Sequence, residues 1–352
     1  MQLAGRNEDP GLPVLVIMRE RIAILLGFCW AFVPTAKGQV ANNDTAYYKS
    51  FSGSVIPRVF LSRNYSELTF DGPGKTPAIK YHANTPLNFG IGASYKFVTF
   101  SVSKGLGFLQ SNSRKGDTKS FDLQAHIYRK KWTVDALAQF YQGYYAAQRA
   151  WDGGPGYYLR PDMRLRMVGI SVNRVLNDKR FSYGSVLGQG GYQQRSAGSF
   201  LLGGNAFYSA INADSALVPF RGDSLYSQVD IRKEHLFLVG AGVGYAYTAV
   251  FQKHYFLLGS ANVNLNLNFS QEIGSGIRSN NVGITHNFIF RAGAGYNSYK
   301  WGLSLLWYTG GISAYGHYSG YTYHQQVGSY KLIYVWRFAV DRKMRRVLNE
   351  GY

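Results

Sequence analysis

The sequence predicts an all-β fold: an antiparallel transmembrane (outer-membrane) β-barrel of about 14 strands, with about 12 as the alternative count. Three features of the 352-residue chain point there. Apolar and polar residues alternate with period two over most of it, the signature of strands with one greasy and one wet face. Aromatic residues reach 16% while charged residues stay at 16%, well under the roughly 25% of a soluble domain. Mean hydropathy is nevertheless -0.18, far too polar for a bundle of membrane helices. Strands that show alternate side chains to lipid and to an interior reconcile those values. A soluble secreted β-sandwich is the main alternative fold.

The amino terminus reads as a secretory signal peptide over residues 1–38. Met18-Arg19-Glu20-Arg21 supplies the basic start, residues 22–33 the apolar run, and Ala36 and Gly38 the small residues before a cut that leaves Gln39 first. Met18 is the expected true start. The run is shorter than the ~20 residues that span a bilayer. A lipoprotein signal ending at Cys29 and a buried amino-terminal helix are the rival readings. Against lipidation, Phe28 stands where a small residue is wanted, and the apolar run continues past Cys29. With Cys29 the one cysteine, the mature chain would hold no disulfide and no Cys-ligated metal. Residues 39–53 read as a short periplasmic segment, 54–340 as the barrel and 341–352 as a basic tail.

Strands come next in order. Phe89, Ile91 and Ala93, then Phe100 and Val102, alternate with Asn88, Gly90 and Gly92, then Thr99, Ser101 and Ser103. Phe121, Leu123, Ala125 and Ile127 face away from Asp122, Gln124 and His126. Trp132, Val134, Ala136, Ala138 and Phe140 face away from Thr133, Asp135 and Gln139. The cleanest case interleaves Val263, Leu265, Leu267 and Phe269 with Asn262, Asn264, Asn266 and Asn268. Four asparagines on one face require water or hydrogen-bonded neighbours rather than hydrocarbon. A last strand sets Leu332, Tyr334, Trp336 and Phe338 against Lys331 and Arg337. Further strands are expected near 54–63, 160–175, 181–193, 198–212, 235–251, 283–298 and 301–315. Aromatic pairs at 144–145, 157–158 and 307–308 suit interfacial girdles.

Short links at 97–99, 129–132, 177–180, 252–254 and 298–300 alternate with long ones at 71–86, 110–118, 146–159, 271–282 and 316–327. Outer-membrane barrels have short periplasmic turns and long outer loops. The alternation fails across 213–234; a further short strand near 225–231 would restore it and make the strand number even. Two residue groups conflict with the pattern. Asp162, Arg164 and Arg166 share parity with Val168, Ile170 and Val172, which a β-bulge at 167–169 would resolve. Lys104 falls on a lipid-facing stripe, where a midplane position would cost roughly 2–4 kcal/mol, so it is expected near an interface or a bulge.

The stretches 87–97, 122–145 (DLQAHIYRKKWTVDALAQFYQGYY), 158–169 (YLRPDMRLRMVG), 179–183 and 196–208 (SAGSFLLGGNAFY) resemble a domain-of-unknown-function family of secreted Bacteroidota proteins. Residues 240–250 and 253–268 continue the likeness. The resemblance covers nearly all of the mature chain and implies that origin and a barrel-like fold. It transfers no catalytic residue.

The lumen-lining candidates are Arg58, Lys96, Arg164, Arg166, Arg291 and Arg337, set against Asp122, Asp135 and Asp162, together with His126 and the row Asn262, Asn264, Asn266 and Asn268. Six basic groups against three acidic ones describe either a lumen favouring anionic or polar solutes or an ion-paired filling. His126 stands near Asp135 across a hairpin, and Ser101 could complete a triad, but nothing in the sequence fixes one. No catalytic residue is therefore assigned. His317 and His324 match no metal-ligand spacing, and the 240–244 segment (GAGVG) lies inside a strand rather than before a helix. No metal and no cofactor is expected. The formal net charge of +19 is scattered and lacks any nucleic-acid motif. Outer-membrane lipid and lipopolysaccharide phosphates are the expected partners instead. The first functional reading is a porin-like channel for small polar or anionic solutes. The second is a non-conducting structural or binding barrel, and the third a lipid-modifying membrane enzyme.

Overall fold

Runs of alternating residues this long fold into strands longer than a bilayer requires. The computed structural model describes residues 44–51, 54–72, 74, 78–95, 98–107, 113–147, 156–218 and 230–339. The expected signal peptide, Lys96, the basic tail 341–352 and most of the strand expected at 225–231 lie outside them. The strands are β1 (Tyr48–Ser50), β2 (Ser54–Phe70), β3 (Ile79–His82), β4 (Asn88–Tyr95), β5 (Val98–Gly105), β6 (Lys119–Tyr128), β7 (Trp132–Ala147) and β8 (Tyr157–Val175). After the one-turn helix α1 (Tyr183–Val186) come β9 (Gly191–Gln193), β10 (Ala197–Asn212), β11 (Ile231–Phe251), β12 (Tyr255–Gly274), β13 (Arg278–Asn297), β14 (Trp301–Tyr315), β15 (Thr322–Trp336) and β16 (Phe338–Ala339).

One 14-stranded antiparallel sheet contains all of these strands except β1 and β9, which pair with each other. It closes on itself where β15 pairs with β2. The hydrogen-bonded ring runs β2–β15–β14–β13–β12–β11–β10–β8–β7–β3 and back to β2. The four-residue β3 completes this ring only at the long-loop end, where it bridges Glu67–Phe70 of β2 to Tyr145 and Ala146 of β7. Lower down, the β4–β5 hairpin hangs from β2 and β6 hangs from β7. At that level the wall is made of β2, β4–β8 and β10–β15, an even number as bacterial barrels have.

At about 3.3 Å per residue, the 21 residues of β11 extend well beyond the 9–11 that a tilted membrane strand needs. Their outward side chains show where the apolar belt stops. Arg166, Ala210, His235, Gln271 and Asn280 share one level through the ladder β8–β10–β11–β12–β13, and Arg164, Asn212, Lys233, Ile273 and Arg278 the next. Below that rim Phe237, Val239, Val243, Leu265 and Leu267 are exposed. At the turn end the rings of Tyr255, Tyr296, Trp301, Tyr334 and Trp336 form a continuous chain, with Tyr296 and Trp301 stacked at 4.5 Å. Lys104 points outward level with Phe89 and Leu61, one pair below the exposed Arg63, so it lies close to the outer edge of the belt.

Three sequence expectations change. The strand expected at 181–193 is not part of the wall: residues 176–196 turn inward at the turn end, carrying α1 and β9. That inward connection removes the parity failure, because β8 and β10 become neighbours and the 213–230 connection falls at the long-loop end. The loop expected over 271–282 is instead a continuation of β12 and β13 up to a turn at 275–277. The bulge expected at 167–169 lies earlier in the chain. The β7–β8 ladder jumps from Gln142↔Arg164 to Tyr144↔Arg160, where Gly143 takes φ +92° and Pro161 has no N–H to give.

The interior is layered. At the long-loop end Leu68, Phe70, Tyr81, Met163, Leu165, Ile211, Leu236, Leu238 and Tyr323 form a buried apolar core inside the barrel. At the turn end Phe181, Tyr183 and Val186 of the inward segment pack on Val175, Leu201, Phe256 and Leu258 of the wall. Polar side chains occupy the level between.

Candidate functional site: an internal cationic cavity

The middle layer is built from residues that the alternation points inward. On β12, Asn262, Asn264, Asn266 and Asn268 are at most 1% exposed, whereas Leu265 between them is 64% exposed. They lie over the glycines of β11, since Gly240, Gly242 and Gly244 pair with Asn266, Asn264 and Asn262. A Cβ at Gly244 would fall 1.8 Å from Asn262 Oδ1, so the 240–244 glycines serve close packing of the asparagine row. The amides bond across strands: Asn205 Nδ2 and Asn266 Nδ2 both donate to Asn287 Oδ1 at 3.0 Å, and Asn268 Nδ2 donates to Thr285 Oγ1 at 3.2 Å.

Beside this row, Asp135 of β7 gathers three groups. His126 Nδ1 lies 2.6 Å from Oδ1, Tyr128 Oη donates to the same oxygen at 3.1 Å, and Arg291 Nη2 donates to Oδ2 at 2.5 Å. The Arg291–Asp135 pair spans the interior from β13 to β7 with both partners buried. Asp122 accepts from Gln139 Nε2 at 2.9 Å and Tyr141 Oη at 3.2 Å.

A cavity of about 190 Å³ opens next to these groups, between the wall and the inward segment. Arg58, Lys331, Arg291 and His126 line it. Arg58 is 7% exposed; its guanidinium donates to Ser94 Oγ and to Gly188 O at 3.0 Å, the latter on the inward segment. Among the described residues its Nε has no hydrogen-bond partner. Lys331 Nζ donates to Gln124 Oε1 at 3.1 Å. Among the described residues neither Arg58 nor Lys331 forms an ion pair. Arg58, buried and without a carboxylate partner among the described residues, and the half-buried Lys331, which has the charge of Asp122 nearby, make the cavity an anion-attracting place. Ser101 also lines it, but among the described residues it makes no hydrogen bond with His126, so Ser101 is not aligned with the His126–Asp135 pair.

Other lumen candidates fall elsewhere. Arg164 and Arg166 point outward, because the bulge at 161–163 exchanges the faces of β8 and turns Met163, Leu165 and Met167 inward instead. Asp162 holds the 213–215 backbone rather than lining the lumen. It takes two 2.9 Å bonds from the buried Arg160 and one of 3.1 Å from Asp214 N. These donors keep its carboxyl well below the usual range despite partial burial. Arg337 is buried at the turn end, where it bonds Asn297 Oδ1 and Ser298 O. Alternation sets Lys331 on the inner face, and two buried carboxylates, Glu234 and Glu272, lie beyond the candidates the sequence offers. Glu234 shares parity with Leu236, Leu238 and Gly240, opposite the lipid-facing Phe237 and Val239, so strict alternation places it inside. It receives 2.9 Å from Gln325 Nε2, while Glu272 accepts from Tyr323 Oη at 2.6 Å and Tyr318 N at 2.8 Å.

A closed antiparallel barrel with an apolar belt, an aromatic girdle and an ordered polar interior defines an outer-membrane β-barrel protein. The chain belongs to the family described as Domain of unknown function (DUF4421), which it matches over residues 42–338. Solved structures similar to it include the following three. The outer membrane protease OmpT of Escherichia coli shares 8% identity at a TM-score of 0.39, covering 82% of this chain and 98% of its own. The β domain of the Bordetella autotransporter BrkA shares 14% at 0.31, covering 81% and 100%. The toluene transporter TodX of P. putida shares 8% at 0.25, covering 82% and 91%. No curated protein matches the chain.

Proposed function

We propose that this protein is a non-conducting outer-membrane barrel that binds a small anionic group in its internal cavity. The observation that carries this reading is Arg58, buried at 7% exposure on the cavity wall and, among the described residues, with no carboxylate partner and no hydrogen bond at Nε. Lys331 adds a second cation on the same side. The apolar core at the long-loop end and the inward segment at the turn end support binding over conduction. A porin-like channel for anionic solutes is the second reading, favoured by the same cations, and conduction then requires that core to open. Export through the 1–38 signal peptide belongs to the proposal. So does contact of lipopolysaccharide phosphates with the outward basic residues Arg164, Arg166, Lys233 and Arg278.

Titrating the detergent-solubilised protein with inorganic phosphate tests the reading. Phosphate raises the unfolding temperature of the wild type, and Arg58→Gln weakens binding at least tenfold. In planar bilayers the protein gives no stepwise conductance. Steady single-channel steps, or a phosphate response that ignores Arg58, would overturn it.

A further inference from the structure

We infer that the ligand of this cavity is an anionic amphiphile, one acidic head on an alkyl chain, which enters sideways from the bilayer through a seam between β5 and β6. The inference rests on the anion-binding reading above and adds the source and route of the anion.

The seam is a property of the ladder. Every other neighbouring pair of strands at the belt level is hydrogen-bonded, from β2–β4 and β4–β5 to β6–β7 and round to β15–β2. Among the described residues no ladder joins β5 to β6, although both lie beside the same cavity. The exposure of β5 agrees. All side chains from Thr99 to Lys104 are exposed, whichever face they take, and Gln124, His126 and Tyr128 on the inner face of β6 are half-buried. On the adjoining β7, Thr133, Asp135 and Gln139 are buried.

Two unpaired strand edges cannot face hydrocarbon, because no solvent there satisfies their N–H and C=O groups. They are tolerated where they border a wet cavity, and the residues behind this seam provide one. Thr99 and Ser101 of β5 and Gln124 and His126 of β6 line the cavity. Lys331 reaches Gln124 from β15, which places an ammonium group directly behind the opening. In front of it stand apolar lips: Phe100 and Val102 are 73% and 52% exposed, Phe121 and Leu123 48% and 45%. Positive charge behind polar side chains, with apolar side chains outside at belt level, matches a molecule whose head is anionic and whose tail is apolar. The two axial routes are occupied by the apolar core and by the inward segment. The cavity, at about 190 Å³, holds an acidic head group with a few waters and leaves the chain in the seam.

The test uses the full protein in phosphatidylcholine vesicles with Val102→Cys and Leu123→Cys, bridged after folding by a disulfide-containing bifunctional thiol reagent. These lip positions leave the cavity side chains untouched. Labelled dodecyl phosphate, dodecanoate and inorganic phosphate are the probes. Dodecyl phosphate or dodecanoate binds at least tenfold more tightly than inorganic phosphate, and which of the two prevails identifies the head. Bridging slows uptake of the alkyl probe from the vesicles at least tenfold, and reduction of the bridge restores it. Single-cysteine variants treated in the same way take it up at the wild-type rate. Uptake indifferent to the bridge overturns the seam while leaving the cavity standing, provided that phosphate binding still responds to Arg58→Gln. Alkyl probes binding no better than inorganic phosphate overturn the amphiphile. Phosphate binding unchanged in both Arg58→Gln and Lys331→Gln defeats the cavity reading itself, and Lys331→Gln decides the matter if the Arg58 variant does not assemble.

Discussion

His126 and Asp135 face each other across the β6–β7 hairpin at 2.6 Å, and the other oxygen of the same carboxylate holds Arg291 from the far wall at 2.5 Å. Asp135 is thus the point at which the hairpin bordering the seam is tied to the opposite side of the barrel. Asp135→Asn leaves a buried guanidinium without its counter-charge, a loss of about 3–5 kcal/mol. The heat-modified gel band of the folded barrel should give way to the unfolded band at a clearly lower temperature. The double variant Asp135→Asn with Arg291→Met should recover part of that loss, because no buried charge is left behind.

Glu234 gives the stability a pH dependence of known sign. Full burial and the nearby charge of Glu272 push its carboxyl up to about 8 from an ordinary value of 4.5, against the hydrogen bond from Gln325. Below about pH 4.5 the group is neutral whether the chain is folded or not. Between about 4.5 and 8 the unfolded chain loses the proton while the folded protein keeps it, so stability falls as pH rises, then levels off above 8. The decline is on the order of a few kcal/mol. Glu234→Gln should flatten this slope and raise the unfolding temperature at pH 8 more than at pH 5. Equal shifts at both pH values would count against it.

Gly242 lies beneath Asn264, and a Cβ there would fall 2.1 Å from Asn264 Oδ1 and 2.5 Å from Val263 O. Gly242→Ala should cost about 1–3 kcal/mol through overpacking. The neighbouring Val243→Ala, on the lipid side at 62% exposure, should cost less. Thermal unfolding of the two variants measures the contrast.

The buried asparagines and exposed leucines of β12 make a labelling prediction. Cysteine at Leu265 or Leu267 should react readily with a lipophilic maleimide. Cysteine at Asn264 or Asn266 should stay unreactive toward lipophilic and impermeant reagents alike, because these positions are packed rather than wet. Labelling of Asn264→Cys by an impermeant reagent would show an open lumen at that level.

Arg164 and Arg166 lie on the outer rim, so changing both to Gln should leave assembly and cavity binding intact. The change should weaken retention of lipopolysaccharide through repeated detergent washing, measured as phosphate bound per protein. A loss of phosphate binding in the cavity instead would place these side chains inside.

Much of the wall was legible in the residues alone. Alternation in 121–141 and 261–270 separated the inward Asp122, His126, Asp135 and the asparagine row from their outward neighbours, because a strand's side chains switch faces at every step. Parity also carried Arg58, Arg291 and Lys331 inward. What period two cannot show is where the alternation resets. The bulge opposite Gly143 exchanged the faces of β8, which sent Arg164 and Arg166 outward. Nor can local pattern distinguish a wall strand from an inward connection. Residues 181–193 carry enough apolar and polar alternation for a strand, yet Phe181, Tyr183 and Val186 find their burial inside the barrel. Pairings across the interior, such as Asp135 with Arg291 or Lys331 with Gln124, and the absence of a β5–β6 ladder among the described residues depend on closure of the sheet. Closure brings together residues more than 150 positions apart, and no short window of sequence specifies such contacts. The sequence by itself therefore determined the strands and which side chains share a face. The tertiary structure alone decided which faces meet, which groups pair across the interior and, among the described residues, which neighbouring strands share no ladder.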